Sequence, residues 1–137
     1  MTADKQIKYV TSPVIEVYVT GSKDSKSAPR ARYYFAEDKL NGEFIKFCNN
    51  LGYWNPDHLD EWLLRFVLWT AKVTNGFLMV TDLQGIKTAN GYIFTDPVVL
   101  CADVTRFGTT NMGEKGMERV KKASETLFDE LGGRGAV

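Results

Sequence analysis

"MVTDLQG" spans Met79 to Gly85, and "YIFTDP" spans Tyr92 to Pro97. Each is a short β-branched and aromatic run ending in Thr-Asp. The composition predicts strands near 77–83 and 91–95. Asn90-Gly91 is a turn signal between them, and 85–91 reads as an exposed loop tip. If the two runs pair as a hairpin, Asp82, Gln84 and Asp96 converge. Carboxylate and carboxamide oxygens are what a hard cation such as magnesium takes. Phosphoryl-transfer sites hold magnesium with such oxygens, and a further acid orients the nucleophile. Thr-Asp-Pro is equally a plain turn in which Asp accepts backbone N–H bonds.

Upstream, "IKYVTSPVIEVYVTG" (7–21) reads as extended structure broken at Pro13. "RYYFAE" (32–37) reads as the returning strand, with a polar, mobile loop over 20–31 between the two. "NGEFIKFCNNLGYWN" (41–55) predicts a helix, because Phe44, Phe47 and Cys48 share a 3.6-period face that Gly52 ends. A stronger helix follows, with Asn55 as cap, Pro56 in the first turn and Asp57 at the positive end of the dipole. Leu59, Leu63, Phe66, Val67 and Thr70 form its face, Trp62 and Trp69 widen it, and Asn75-Gly76 stops it. "FGTTNMGEKG" (107–116) is a glycine-rich loop whose amides could approach an anion or a peptide closely, although any tight turn uses the same residues. A last helix is predicted over about 115–131, burying Met117, Val120, Leu127 and Leu131, and 132–137 is a disordered tail. The composite is α+β: a small antiparallel sheet packed on two to three helices in a single domain, 1–137.

Seventeen basic residues balance seventeen acidic ones, so no broad field draws in nucleic acid or an anionic membrane. No apolar run reaches the ~18 residues that span a bilayer. Two cysteines, Cys48 and Cys101, set no disulfide framework, and the expected location is the cytoplasm. The lone histidine, His58, sits beside acids at a helix start and reads as solvated. With no second histidine in the chain, two-histidine metal motifs are excluded.

In order, "VTDLQG", "TDP" and "FGTTNMGEKG" resemble the signature run of the alpha-kinases, the atypical serine/threonine protein kinases. Asp82-Leu83-Gln84-Gly85, Thr95-Asp96-Pro97 and Phe107 through Gly116 supply its parts, and "EDKLNGEFIKFCNNLGYWN" resembles the family's hinge and first C-lobe helix. The resemblance covers roughly 32–120. It implies magnesium and ATP as cofactors. Asp82 and Asp96 would be the catalytic acids, with Asp82 nearest the transferred group, and Gln84 and Asp96 would hold magnesium. Glu37 and Leu40 would meet adenine, Lys46 and Asn50 would face the phosphates, and Gly108, Asn111, Gly113 and Gly116 would lie along the substrate.

The departures carry equal weight. The family's N-terminal lobe brings a phosphate-binding lysine from far upstream, yet thirty-six residues precede Glu37, and Lys5 and Lys8 are poor substitutes. The chain therefore resembles a truncated alpha-kinase domain. Asp38 and Cys48 stand where the family has Pro and Asn, and the spacing from Asp82 to Asp96 is longer than usual. Leu68 stands where the family's zinc-binding helix histidine falls, and "VKKASETLFDELGG" lacks the rest of that cluster, so zinc is expected absent. Two readings stay open. One is an enzyme, weak or inactive alone. The other is a pseudokinase-like module that holds a protein or peptide along the glycine loop. A homo-oligomer is compatible with both.

Overall fold

The computed structural model describes residues 5–19 and 30–132. The strands are β1 (Gln6–Tyr9), β2 (Val14–Val19), β3 (Arg30–Phe35), β4 (Ile45–Lys46), β5 (Leu78–Thr81), β6 (Gln84–Thr88), β7 (Gly91–Phe94) and β8 (Val98–Cys101). The helices are α1 (Glu61–Val73) and α2 (Gly113–Glu130), with a short 3-10 turn at Pro56–His58. The architecture is α+β. A sheet of order β1-β7-β6-β4 and the separate β5–β8 pair share one core with the two helices. β2 and β3 form a two-stranded ribbon of their own. The sheets are antiparallel except where β1 lies parallel to β7, in register Ile7 with Tyr92.

The expected pairing of the two opening strands does not form. β5 pairs with β8, and β7 pairs with β6, which occupies the stretch expected as a loop tip. Its sequence, QGIKT, is weakly apolar, but its backbone is covered on both sides. A Cβ on Gly85 (φ +149) would lie 2.1 Å from the Ile93 carbonyl oxygen, so only glycine permits this approach. The chain therefore leaves the β5–β8 pair at Asp82, makes the β6–β7 hairpin, and returns through Asp96-Pro97.

The helix expected at 41–55 is also absent. Ile45 and Phe47 are buried while Lys46 is exposed, a period of two, and Phe44 is 55% exposed. Asn49 decides the matter locally: its Oδ1 accepts from the N–H groups of Leu51 (2.8 Å) and Tyr53 (3.0 Å), the donors a helix would need. Asn55 caps only the 3-10 turn, through Asp57 N–H. Asp60 caps α1 instead, its Oδ1 accepting from Trp62 N–H at 2.8 Å. The other oxygen of Asp60 accepts from Tyr92 Oη at 2.5 Å and from Lys5 Nζ at 3.0 Å, pinning α1 to β7 and to the chain's start. Burial works to raise the Asp60 pKa, but the bonds from Tyr92, Trp62 N–H and Lys5 prevail and hold it below the ordinary carboxylate value.

On α1 the buried set is Leu63, Leu64, Val67 and Thr70, while Trp69 is half exposed. On α2 it is Met117, Val120, Ser124 and Phe128 beside two glycines, so Leu131, expected inside, is exposed. Ser124 accepts from buried Trp54 Nε1 at 3.1 Å. In the core Tyr92 and Phe94 stack at 5.5 Å, and Phe47 meets both edge-on at 5.3 and 5.7 Å. Burial pushes the Cys48 thiol up to about 12, and both cysteines are free and buried. The loop expected at 20–31 lies outside the described residues up to 29. Arg30 and Ala31 already belong to β3. The tail lies outside them from 133.

Candidate functional site

Asp82 and Asp96 sit at the two crossings between the sheets, one on the way out and one on the way back. Both have left-handed backbone, φ 58° and 47°. Asp tolerates that region better than most residues, because its short side chain hydrogen-bonds locally. The two crossings are joined by a single amide. Gln84 Nε2 donates to Asp82 Oδ2 at 3.0 Å and to the Asp96 carbonyl at 3.2 Å. Lys46 Nζ lies 2.8 Å from the other oxygen, Oδ1 of Asp82. Lys46 reaches it because β4 pairs with β6 in register Lys46 with Gln84. Asp82 is thus 9% exposed yet both its oxygens are matched, as a buried carboxylate requires.

Gln84 and Asp96 line one side of a cleft of about 720 Å3, a size typical of small-molecule sites. Tyr9, Val10, Phe35 and Phe44 supply apolar wall, with Ser12, Glu37, Thr95 and Pro97 completing the rim. Glu37 is gripped by two hydroxyls: Ser12 Oγ donates to Oε1 and Thr95 Oγ1 to Oε2. Those two bonds, Ser12 first, lower its pKa. Glu37 therefore ties the end of the ribbon to the residue preceding Asp96. The Tyr9 hydroxyl is buried without a partner among the described residues, and burial raises its pKa.

The remaining expected residues fall in other places. Leu40 is half-buried and outside the cleft lining. Asn50 Nδ2 donates to the Thr110 carbonyl at 2.9 Å, which ties it to the glycine loop. Asn111 is that loop's internal clasp. Its Oδ1 accepts from Cys101 N–H (2.8 Å) and Gly113 N–H (3.0 Å), and its Nδ2 donates to the carbonyls of Asp103 and Arg106, both at 3.0 Å. Gly108 takes φ 77° in the loop, and Gly113, the first residue of α2, takes φ 66°. Gly116 lies inside α2, where a Cβ would meet Met112 Cβ at 2.4 Å. Lys5 is turned to Asp60, Lys8 is exposed on β1, Leu68 is half-buried on α1, and His58 lies edge-on to Phe47 at 6.2 Å. Thr95, Ser12, Tyr9, Phe35 and Phe44 went unmarked by sequence reasoning. Only Thr95 carried a signal, as part of the repeated Thr-Asp.

The alpha-kinase family model matches residues 2–122. Alpha-protein kinase vwkA of Dictyostelium discoideum is 31% identical over 116 residues, covering 85% of this chain and 17% of that protein. Eukaryotic elongation factor 2 kinase of Mus musculus is 27% identical over 113 residues, covering 82% of this chain and 14% of that protein. The alpha-kinase domain of myosin heavy chain kinase A in complex with AMP superposes with TM-score 0.71 at 26% identity, covering 91% of this chain and 49% of that one. The same kinase domain with AMP-PNP gives TM-score 0.68 at 27% identity, covering 87% and 43%. The chain thus spans less than a fifth of these two curated relatives and about half of the solved domains. With the family match extending over both strand-exit aspartates and the glycine loop, this chain belongs to the alpha-kinase family.

Proposed function

We propose that the chain carries an alpha-kinase-type site for phosphoryl transfer from magnesium-ATP to a serine or threonine of a protein, weak or inactive in this chain alone. The observation that carries the reading is the Gln84 amide joining Asp82 to Asp96 at the edge of a nucleotide-sized cleft. The solved relatives with AMP and AMP-PNP support the choice of ligand.

The donor set suits magnesium. Among the described residues no three acid, histidine or cysteine side chains gather into a cage. Magnesium takes one or two carboxylates plus substrate phosphates rather than such a cage. Asp96 and Gln84 would hold it, and Gln84 has its Oε1 to offer because its hydrogens serve Asp82 and Asp96. When bound, the ion neutralises charge developing on the phosphates. Asp82, paired with Lys46 at 2.8 Å, accepts the hydrogen bond of the attacking hydroxyl and orients it. Lys46 is exposed enough to turn from Asp82 to a phosphate oxygen, and Asn50 supports the loop facing it. Glu37 lines the cleft and flanks the adenine end, whereas Leu40 lies outside that lining, and the Gly108–Gly116 segment lies along the acceptor peptide, held by Asn111. We infer further that no structural zinc is needed, since Leu68 offers no ligand atom and His58 is the lone histidine of the sequence. A protein partner and the cytoplasm fit the neutral charge. No described helix is long and apolar enough to cross a membrane.

The test is transfer of labelled phosphate to a basic serine/threonine peptide, with thermal melting in magnesium-ATP alongside. Ligand at ~100 times its dissociation constant adds about 2.7 kcal/mol to stability. Asp82→Asn and Asp96→Asn should each abolish transfer, and only the second should abolish the magnesium dependence of the shift. Absence of both shift and transfer would refute the reading.

One observation favours the second reading. Val104, Phe107 and Met112 leave 49–62% of their surface exposed around the glycine loop, an apolar rim suited to a peptide. A pseudokinase-like module would use that groove without turnover. Peptide binding that is indifferent to magnesium-ATP and to Asp82→Asn would select it.

A further inference from the structure

Glu37 stands at the junction between the β2–β3 ribbon and the body of the chain. Both sides of that junction line the cleft: Ser12, Phe35 and Glu37 from the ribbon, and Gln84, Thr95 and Asp96 from the body. The ribbon's strands pair with each other and with no other described strand. An isolated two-stranded hairpin is marginal in water, so the position of this one depends on what ties it to the sheet beside it.

The tie is one carboxylate with two hydroxyl donors. Continuing the register Val14–Phe35 by two residues sets Ser12 opposite Glu37, and Ser12 Oγ donates to Oε1 within the ribbon's own root. Ala36 N–H closes that root by donating to the Pro13 carbonyl at 3.0 Å. Thr95 Oγ1 donates to Oε2 from the body. Among the described residues, the Thr95 bond is the one hydrogen bond that joins residues 12–37 to the rest of the chain. Thr95 is itself held on the body side. Its N–H donates to the Gln84 carbonyl at 3.0 Å, and the Gln84 amide donates to the carbonyl of the next residue, Asp96, at 3.2 Å. The ribbon is thus fastened to the crossing that carries Asp96.

We propose that Ser12, Glu37 and Thr95 form a clasp that holds the ribbon side of the cleft in place against the Asp96 crossing, and that opening the clasp releases the ribbon as a unit. A charged acceptor makes both of its bonds stronger than neutral ones. The three are positioning residues: each oxygen of the carboxylate is engaged by a hydroxyl, and the group acts on a ligand through the wall it holds. One consequence rests on the kinase reading given above. The clasp then sets the affinity for magnesium-ATP and leaves the rate of transfer from bound nucleotide unchanged.

Amide hydrogen exchange of the ligand-free chain, read residue by residue by NMR, tests the clasp without nucleotide. Thr95→Val keeps the shape of the side chain and removes its donor. Exchange at Val10, which donates to the Phe94 carbonyl, and at Ala36 should rise about tenfold, the low end for a lost hydrogen bond to a charged group. Amides of β6 and β7 should keep their wild-type rates, which reports an intact fold. Thr95→Ser restores a hydroxyl and should restore slow exchange. Glu37→Ala should speed exchange at least as much as Thr95→Val, and combining the two should add nothing. With nucleotide, Thr95→Val should raise the magnesium-ATP dissociation constant about tenfold and leave kcat unchanged. Wild-type exchange in Thr95→Val, a rise that Thr95→Ser does not reverse, or additive effects of Glu37→Ala and Thr95→Val would overturn the clasp. Faster exchange with an unchanged dissociation constant would overturn its consequence for nucleotide. The expected exchange pattern in a chain that binds no magnesium-ATP would support the clasp and sink the kinase reading alone.

Discussion

Asn111 offers the most direct measurement of how the glycine loop is held. Its side chain is 9% exposed and all its hydrogen-bonding capacity is used. The four partners are unequal. The N–H groups of Cys101 and Gly113 belong to buried residues, whereas Asp103 is half-buried and Arg106 exposed. Asn111→Ala strands both buried donors, at about 1–3 kcal/mol each, or roughly 2–6 kcal/mol in all. That is a large share of the ~5–15 kcal/mol by which a domain is usually stable, and at ~3–5 °C per kcal/mol it lowers the melting temperature by ~6–30 °C. Asn111→Asp keeps the acceptor and strengthens it with charge, but its second oxygen would stand about 3.0 Å from the Asp103 and Arg106 carbonyl oxygens, which must turn away to water. Its cost should stay below that of the alanine, at about 1–2 kcal/mol. Urea unfolding gives the energies, and trypsin cleavage after Arg106 reports release of the loop. The expected order is wild type, then Asn111→Asp, then Asn111→Ala, with cleavage rising in the same order. An alanine variant within ~1 kcal/mol of wild type, or an aspartate variant below it, would refute the reasoning.

The Cys48 thiol, pushed up to about 12 by burial, should resist thiol reagents at neutral pH until the chain unfolds; equal labelling with and without urea would contradict its placement. Asp60, with its folded pKa below the unfolded ~3.9, contributes stability that is full above that value and lost as pH falls through the folded one. Asp60→Asn, which still caps α1, should therefore flatten the loss of urea resistance as the pH falls below the unfolded carboxylate value of ~3.9, and an unchanged slope would sink the assignment. Gly85→Ala forces a Cβ against the Ile93 carbonyl from an unfavourable φ; about 2–6 kcal/mol of overpacking and backbone strain should leave it insoluble or unfolded, and a chain melting normally would refute the β6–β7 approach.

Elements whose residues bury a side chain at every period were legible in the sequence. α1 and α2 follow from Leu63, Val67 and Thr70, and from Met117 and Val120, and β5 and β7 from their β-branched and aromatic runs. β6 was not legible, because its place is set by the backbone of Gly85 and by its neighbours. At 41–55 the spacing of Phe44, Phe47 and Cys48 mimicked a helix, although Phe44 faces the cleft. Local spacing cannot distinguish a residue facing a cleft from one facing a core. The start of α1 was missed for a different reason. Asn55 and Asp60 are both good caps, and the choice fell to Tyr92 and Lys5, distant in sequence, which bond Asp60. The cleft's apolar wall was invisible for the same cause: Tyr9, Phe35 and Phe44 come from three separate segments and share no motif.

The convergence of the Asp82, Gln84 and Asp96 side chains was expected from a hairpin that does not exist, yet the Gln84 amide does bond both the Asp82 carboxylate and the Asp96 backbone carbonyl. The reason lies in the crossings. A chain that leaves one sheet, makes a hairpin in another and returns must cross the gap twice, and adjacent strands make the crossings neighbours. Each crossing here bends through a left-handed residue, a conformation that aspartate accepts readily. What remains is to hold two bends at fixed separation beside an open cleft, and that explains the amide at 84. A glutamate there would bring a carboxylate to about the 3.0 Å that separates Gln84 Nε2 from Asp82 Oδ2, placing like charges in contact. An alanine would leave Asp82 with Lys46 alone and release the Asp96 carbonyl. A side chain with two donors clamps both crossings and leaves one oxygen free, the oxygen that the proposed function would offer to a cation. The fold alone therefore asks for a carboxamide here, which is why it stands so close to a carboxylate in one short stretch.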